Sequence, residues 1–355
     1  MCAVRVGVIG TGFGANVQIP GFKCVSGADV VAVTSARLER AKTVAAEHGV
    51  PHAFDDYREM LREVELDLVS VVSPPYLHYE MTMAALESGA HVLCEKPFAM
   101  DLAEARAMRD RAQSLARVHA VDHEFRYVPA RAAIKRLLDA GEIGDLFLIR
   151  AADLAIWPND RPFNWWFDRA RGGGVLGAIG SHYVDAVSWW VGPLARVSAN
   201  LQALVSERRS ENGAGMARVT ADDTALVAFT TENGAAGRID ISASAGGGPR
   251  RVELFGTRGA LFLEGTKLYR AAGGEVTEVA PEDRDQGRLD DPRLGPFVEL
   301  AQRVIDRING TDSGPYSTFD DGAAIQQVLD AIHRSSDEGR EVAIDEIGAV
   351  SNVSA

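Results

Sequence analysis

Cysteine is nearly absent from this chain: Cys2, Cys24 and Cys94 are the only three in 355 residues. An odd number at wide spacing excludes a disulfide framework, and the spacing matches no zinc site, so no metal centre is expected. Few cysteines suit a reducing compartment. No apolar run approaches the ~20 residues that a membrane span needs. The opening MCAVRVGVIG is too short an apolar stretch for a secretory leader and lacks a small-residue cleavage site, so the expected location is the cytoplasm. Positive charge is also short. Lys and Arg number 37 against 50 Asp and Glu, giving a formal net charge of −13 and a pI of about 5.1. That argues against nucleic acid or an anionic membrane as partner, because both select basic surfaces. No internal repeat or low-complexity tract is present.

What the chain does contain is an ordinary globular mixture, 46% hydrophobic and 25% charged, at a length that implies two domains. In the first third, apolar runs alternate with amphipathic stretches. VRVGVI (4–9), DVVAVT (29–34), LDLVSVV (66–72) and AHVLC (90–94) read as strands. Residues 38–48, 76–88 and 102–115 read as helices. Near-continuous apolar strands separated by helices predict a parallel sheet covered on both faces. Beyond about residue 120 the rhythm changes. A helix (130–140) and a strand (146–152) precede the aromatic stretch IWPNDRPFNWWF, and Gly172-Gly173-Gly174 leads into a helix over 175–191. From 195 to 270 strand follows strand, with a hairpin expected at Asn233-Gly234 and another near 256–259. Residues 273–292 read as a charged loop, and helices over 297–308 and 320–336 close the chain.

The first strand runs into Gly10-Thr11-Gly12-Phe13-Gly14-Ala15, which fits the dinucleotide fingerprint G-x-G-x-x-A. The first glycine permits a tight turn, the second admits a pyrophosphate against the backbone, and the small third residue lets helix and strand pack closely. The phosphates then sit on the helix N-terminus. Because the motif follows a strand and opens a βαβ pattern, these six residues are the candidate cofactor cradle. An NAD site should end the second strand in an acid for the ribose 2′-hydroxyl. This chain has Thr34-Ser35-Ala36-Arg37 instead. A hydroxyl (Ser35) and a guanidinium (Arg37) suit a 2′-phosphate, so NADP(H) is favoured and NAD(H) is the alternative.

HVLCEKPFAM (91–100) poses a sharper question, because a buried strand ends abruptly in Glu95-Lys96-Pro97. Open α/β sheets bind their ligands at the carboxyl ends of strands, so a lysine there is a candidate for chemistry. Oxidising an alcohol releases a proton that a nearby base must take. Beside a cationic ring, a lysine is shifted toward the amine that does so.

Taken in order, the loop 10–15, VSVVSPPYLHYEM (69–81), HVLCEKPFAM, GGGVLGAIGSHYVDAVSWWVG (172–192) and YSTFDDGAAIQQVLDAIHRSSDEGREV (316–342) make the chain similar to the Gfo/Idh/MocA oxidoreductases. The resemblance covers nearly the whole chain. It implies an α/β fold: a doubly wound Rossmann domain (1–122), then an α+β domain (123–355) whose large, open, mostly antiparallel sheet walls the substrate site. It also implies a homodimer or homotetramer joined through that sheet. Lys96 and His182 fall on the family's catalytic lysine and histidine. Ser73, Pro74 and His78 fall on its cofactor-lining segment, and Glu95 is expected to position the cofactor or the lysine. A cis bond is expected before Pro97. The family pattern GGGxLxDxGxHxxD has an Asp four residues before the histidine, where this chain has Ala178; the second acid, Asp185, is present.

Trp157, Trp165 and Trp166, near Asn159, Asp160 and Asn164, are candidates for stacking on a sugar or cyclitol ring, with domain packing as the competing role. Arg126 and Tyr127 are further candidates for facing the substrate. The implied activity is interconversion of a hydroxyl and a ketone on a sugar, cyclitol or related polyol. Alternatives are a redox-assisted glycosidase or eliminase that recycles NAD, and a non-catalytic dinucleotide-binding regulator.

Overall fold

The computed structural model describes residues 3–155, 161–210, 213, 215–248, 250–280 and 291–349. Six parallel strands form the first sheet: β1 (Val4–Ile9), β2 (Ala28–Thr34), β3 (His52–Phe54), β4 (Leu68–Val71), β5 (His91–Cys94) and β6 (His119–Val121). Their order is β3-β2-β1-β4-β5-β6. Val6 and Val8 are fully buried, as are all four residues of β4. Helices on both faces cause this, and it explains why these strands read as unbroken apolar runs. The covering helices are α1 (Ile19–Cys24), entered through a wide turn at Gly14–Gln18, then α2 (Leu38–His48), α3 (Tyr57–Glu63), α4 (His78–Glu87) and α5 (Leu102–Ser114). Strand order reverses between β1 and β4, and at such a reversal the crossovers leave on opposite faces and open a crevice at the strand ends.

After α6 (Pro129–Asp139) come β7 (Leu146–Leu154), α7 (Ser181–Val191), β8 (Leu194–Gln202), and a small ribbon of β9 (Glu207–Arg209) and β10 (Met216–Arg218). Then follow β11 (Thr224–Thr231), β12 (Ala236–Ser242), β13 (Arg250–Gly256), β14 (Gly259–Glu264), β15 (Lys267–Ala272) and β16 (Glu275–Val279). The chain ends with α8 (Leu294–Ile308), α9 (Phe319–Glu338) and β17 (Val342–Ala343). The second sheet runs β16-β15-β14-β13-β7-β12-β11-β8-β17. Its pairs are antiparallel except β7 with β12. On β11, Ala225, Val227 and Phe229 are buried while Leu226 and Ala228 are exposed, so one face is packed and the other open. Beyond β17 the edge of β8 is closed by side chains: the Ala199 and Leu201 N–H groups donate to the hydroxyls of Ser335 and Ser336, both at 2.9 Å. The hairpin at Asn233-Gly234 forms between β11 and β12, with Gly234 at φ 89°.

The expected loop from 273 onward is in part a strand, β16, which pairs with β15. Four of its five residues are exposed, as an edge strand allows, and so it carries no strong apolar signal.

By contacts the chain forms two units, Met1–Val128 with Arg284–Ala323, and Pro129–Asp283 with Ala324–Ala355. The late segment joins the first unit through α8. Its Phe297, Leu300, Ala301, Val304 and Ile305 share one buried cluster with Val17, Ile19 and Phe22. Phe22 and Phe297 meet edge to face at 5.2 Å, the geometry that ring quadrupoles favour. Gly21 is required beside them, since a Cβ there would lie 2.3 Å from the Phe297 ring.

Candidate functional site

In the first unit the glycine loop closes the end of β1. Gly10 has φ +122°, and a Cβ there would sit 2.3 Å from the Val72 carbonyl oxygen, so no side chain is tolerated. Its N–H donates to Thr34 O at 3.0 Å. A Cβ at Gly12 would meet nothing within 4 Å, which leaves space above the loop for a bound phosphate. Gly14 and Ala15 are buried against the sheet, and Phe13 lies under the Arg293 guanidinium at 5.5 Å. These residues fit a dinucleotide: a strained turn, an open approach and a helix start.

At the end of β2, the Thr11 hydroxyl donates to Ser35 Oγ at 3.1 Å. Arg37 is exposed at the start of α2. The guanidinium that turns back to the loop is that of Arg40, whose Nη2 donates to Thr11 O at 3.4 Å. Sequence reasoning passed over Arg40, although it lies one helical turn beyond Arg37.

Main-chain hydrogen bonds continue past the strands. Val72 N–H donates to Ile9 O at 2.8 Å, Glu95 N–H to Val71 O at 2.9 Å, and Asp122 N–H to Cys94 O at 2.8 Å. These bonds fix the start of the Glu95-Lys96-Pro97 turn. The Lys96–Pro97 bond is cis. His78, fully buried at the head of α4, spans two loops: its ring nitrogens face Ser73 O at 2.8 Å and Pro97 O at 3.0 Å. Burial lowers its pKa; both carbonyls and the Phe98 backbone oppose this, and the charge of Lys96 adds to it. Ser73 and Pro74 are half-buried above this stitch. Lys96 is half-buried, and Glu95 Oε2 accepts from its N–H at 3.1 Å.

Two polar residues that sequence reasoning missed lie beneath this turn. Gln18 and Asp122 are both fully buried, and Gln18 Nε2 donates to Glu95 Oε1 at 3.0 Å and to Asp122 Oδ2 at 2.8 Å. The available signals were an amide on the inner face of the first helical segment and an acid directly after an apolar strand. Arg126, 8% exposed, pairs with Asp321 at 2.9 Å. Tyr127 donates to Pro315 O at 3.3 Å and lies under the Arg303 guanidinium. Both are therefore engaged with the segment that follows α8.

The second unit carries the other group. Asn164 caps the turn Trp165–Phe167, accepting from Trp166 N–H at 2.9 Å, and the two indoles stand 5.0 Å apart. Trp157, Asn159 and Asp160 lie outside the described residues. The glycine run packs directly on this turn: a Cβ at Gly173 would sit 2.4 Å from Trp165 O, and Gly174 N–H donates to Trp166 O at 3.0 Å. The chain then enters a wide turn (Leu176–Gly180) that continues into α7. Asp222, another residue missed in the sequence, holds its start. Asp222 Oδ2 accepts from Leu176 N–H at 2.8 Å, and its carbonyl accepts from Val175 N–H at 2.8 Å. His182 and Asp185 are buried on α7, one turn apart, and Ala178 is buried one turn earlier. Among the described residues no group of three His, Cys, Asp or Glu is arranged to hold a metal, and no helix is long and apolar enough to cross a membrane.

Residues 4–123 match the model of an oxidoreductase family with an NAD-binding Rossmann fold, and residues 132–262 match the GFO/IDH/MocA C-terminal domain. An uncharacterized oxidoreductase of Synechocystis is 32% identical over 97% of this chain and 97% of its own. The chain belongs to the Gfo/Idh/MocA oxidoreductase family. It is thus an enzyme whose first domain is of the NAD-binding Rossmann type. Other relatives are inositol 2-dehydrogenase 1 of Saccharopolyspora erythraea, 30% identical over 96% of each chain, and levoglucosan dehydrogenase of Pseudarthrobacter phenanthrenivorans, 30% identical over 65% of this chain and 64% of its own. Among solved structures, levoglucosan dehydrogenase in its apo form has a TM-score of 0.88 at 24% identity, covering 97% of this chain and 99% of its own. A second form of it, with NADH and levoglucosan, has a TM-score of 0.87 at 24% identity, covering 96% and 99%. This likeness shows the family fold.

Asp222 gives this site a pH signature. Burial pushes its pKa up to about 6, against the Leu176 N–H that favours the anion. The folded protein therefore holds this proton more tightly than the unfolded chain. Its contribution to stability is full below the ordinary carboxylate range and is lost as pH rises to about 6. Asp222→Asn keeps an acceptor for Leu176 and removes the titration. The wild type should lose about 3 kcal/mol relative to this variant as pH climbs through that window. Urea unfolding across pH measures the difference, and parallel curves for the two proteins would contradict it.

Proposed function

We propose that the protein interconverts a secondary hydroxyl and a ketone on a sugar, cyclitol or related polyol, with NADP(H) favoured over NAD(H) as redox partner. The observation that carries this reading is Lys96: a lysine at the carboxyl end of β5, next to the reversal of strand order, on a turn clamped by His78 and Glu95. The names of the dehydrogenase relatives, which act on inositol and levoglucosan, support the substrate class.

The dinucleotide supplies the hydride acceptor when bound. Gly10 to Ala15 hold its pyrophosphate, and Ser73 and Pro74 line its inner end; His78, expected to line it too, is fully buried and instead holds the Ser73 and Pro97 loops together beneath it. Lys96 takes the hydroxyl proton as an amine and returns it in the reverse direction. His182 assists by hydrogen bonding to the same hydroxyl. This chain has Ala178 where the family pattern sets an acid four residues before His182, and Lys96 is the residue assigned most of the acid–base work. Trp165 and Trp166 offer an apolar wall to the ring face of the substrate. For the cofactor, no acid ends β2, while the Ser35 hydroxyl and the Arg40 guanidinium both join the glycine loop and Arg37 stands exposed beside them. That set suits a 2′-phosphate. We also propose that the enzyme is a dimer or tetramer joined through the open face of its large sheet. That face carries Leu226 and Phe262 among Arg150, Arg238 and Glu253, a mixture able to complement a second copy of itself.

Lys96→Met should lower turnover by about two to four orders of magnitude, the span usual for acid–base catalysis. His182→Ala should cost less, and cofactor affinity should move little in either variant. Near-normal turnover in Lys96→Met would remove the lysine from the mechanism. In calorimetric titration the wild type should bind NADPH more tightly than NADH. Arg40→Ala and Arg37→Ala should each weaken NADPH by about tenfold while leaving NADH unchanged, as expected for one charged hydrogen bond to phosphate. A wild type that prefers NADH would overturn this assignment. Sedimentation should show a dimer or tetramer that Leu226→Arg dissociates; a monomeric wild type would exclude the interface.

A further inference from the structure

Beneath Lys96 lie more acids than the charge of one lysine can balance. Glu95 and Asp122 follow the adjacent strands β5 and β6, and both are buried, at 8% and 0% exposure. Both carboxyls accept from the same nitrogen, Gln18 Nε2. The amide's orientation matches its neighbours. Its carbonyl oxygen accepts from the Ser70 hydroxyl at 2.5 Å, and reversal would aim it at two carboxyls. One NH2 group thus offers one N–H to each acid. Glu124, buried on the turn after β6, adds a third acid nearby, itself facing Arg293. The remaining titratable neighbours are Lys96, Cys94 at the end of β5, and His78, which faces Lys96 from α4. No metal arrangement exists among the described residues to neutralise the cluster.

We propose that Glu95 and Asp122 hold a single proton between them, so that one negative charge, not two, lies under Lys96 and makes the pair a positioning device for that lysine. The proposal rests on the reading of Lys96 as the proton acceptor. Two carboxylates meeting on one neutral amide in a dry interior repel each other, and one of them stays protonated. The direction of both shifts agrees. Burial raises Glu95, which the charge of Lys96 opposes. Burial, the Glu95 charge and Glu124 raise Asp122 well above the usual range. Asp122 is therefore the neutral partner, donating to Glu95, which keeps its charge for the Lys96 N–H. A second negative charge buried beside the lysine would have no cation of its own to balance it. With neither charge, the Lys96 backbone would lose a charged acceptor.

The test uses three variants of the full chain. Asp122→Asn retains an oxygen for Gln18 and an N–H for Glu95, imitating the protonated acid; Asp122→Ala removes both. Asp122→Ala should lower turnover by about tenfold, the cost of leaving buried partners unmatched, and Asp122→Asn should recover most of it. The acid limb of the kcat/KM profile should stay in place in Asp122→Asn and move to lower pH, by about one unit, in Glu95→Gln. An Asp122→Asn limb that moves as far as that of Glu95→Gln would show Asp122 ionised and overturn the proposal. Melting gives a readout without turnover. A carboxyl protonated in the fold and ionised in the unfolded chain loses stability as pH rises, so the gain in Tm of Asp122→Asn over wild type should grow as pH climbs above the ordinary carboxylate range. A constant or negative difference would count against it. Should the variants fail to fold, carbon NMR of the labelled wild type decides: one buried carboxyl must remain protonated at neutral pH. If Lys96→Met proves active, the lysine assignment falls while melting and NMR still report on the shared proton.

Discussion

The structure depends on a ladder of main-chain hydrogen bonds that outlasts its strands. Ile9 accepts from Val72, Val71 from Glu95, and Cys94 from Asp122, so the chain is still in register where the loops leave the strand ends. Parallel pairing imposes this. All strand ends point the same way, and each is followed by a loop that must leave a crowded surface. The crowding is visible at Gly10, where the Val72 carbonyl leaves no room for a side chain. It is visible again at His78, whose ring stitches two of the departing loops. Lys96 stands on the turn that this ladder begins. Its half-buried place and the buried acids beside it both follow from that position.

The second unit solves a similar problem by different means. Backbones approach closely where the tryptophan turn meets the glycine run, and Gly173 is the residue that permits it, while Gly174 leaves room for the Asp222 carboxyl. The helix carrying His182 is then held from outside, by Asp222 on the loop before β11, and not by a local cap. A largely covered carboxyl that accepts an N–H near a helix start gains from the helix dipole but loses hydration. For Asp222 the loss is larger, and its pKa rises. In both units, then, an acid shielded from water, buried in the first and half-buried in the second, supports the element that bears a proposed catalytic side chain, at a cost in stability that depends on pH.

How far this was legible depended on whether a residue's partner was near in sequence. β1, β2, β4 and β5 could be read because burial on both faces leaves unbroken apolar runs. β3 and β6, three residues each, are too short to show a period. The fingerprint 10–15 was readable because its constraints are local. Gln18 and Asp122 lie 104 positions apart, and neither means much until the sheet brings them together. Asp222 was missed for the same reason. Arg40 lies one helical turn beyond Arg37, outside the strand-end positions where the fingerprint places the ribose contact. The amphipathic pattern of α8 predicted a helix without saying that Phe297 would pack on Phe22 in the first unit.

The central claim is that this chain moves a hydride between a polyol carbon and a nicotinamide that is consumed in the reaction. The most direct measurement is nicotinamide absorbance during incubation with a panel of sugars and cyclitols, followed by deuteration of the reacting carbon of the best substrate. The account predicts stoichiometric formation of reduced cofactor and transfer of the deuterium to it, with a slower rate for the deuterated compound. Consumption of substrate with no net change in the cofactor would contradict it.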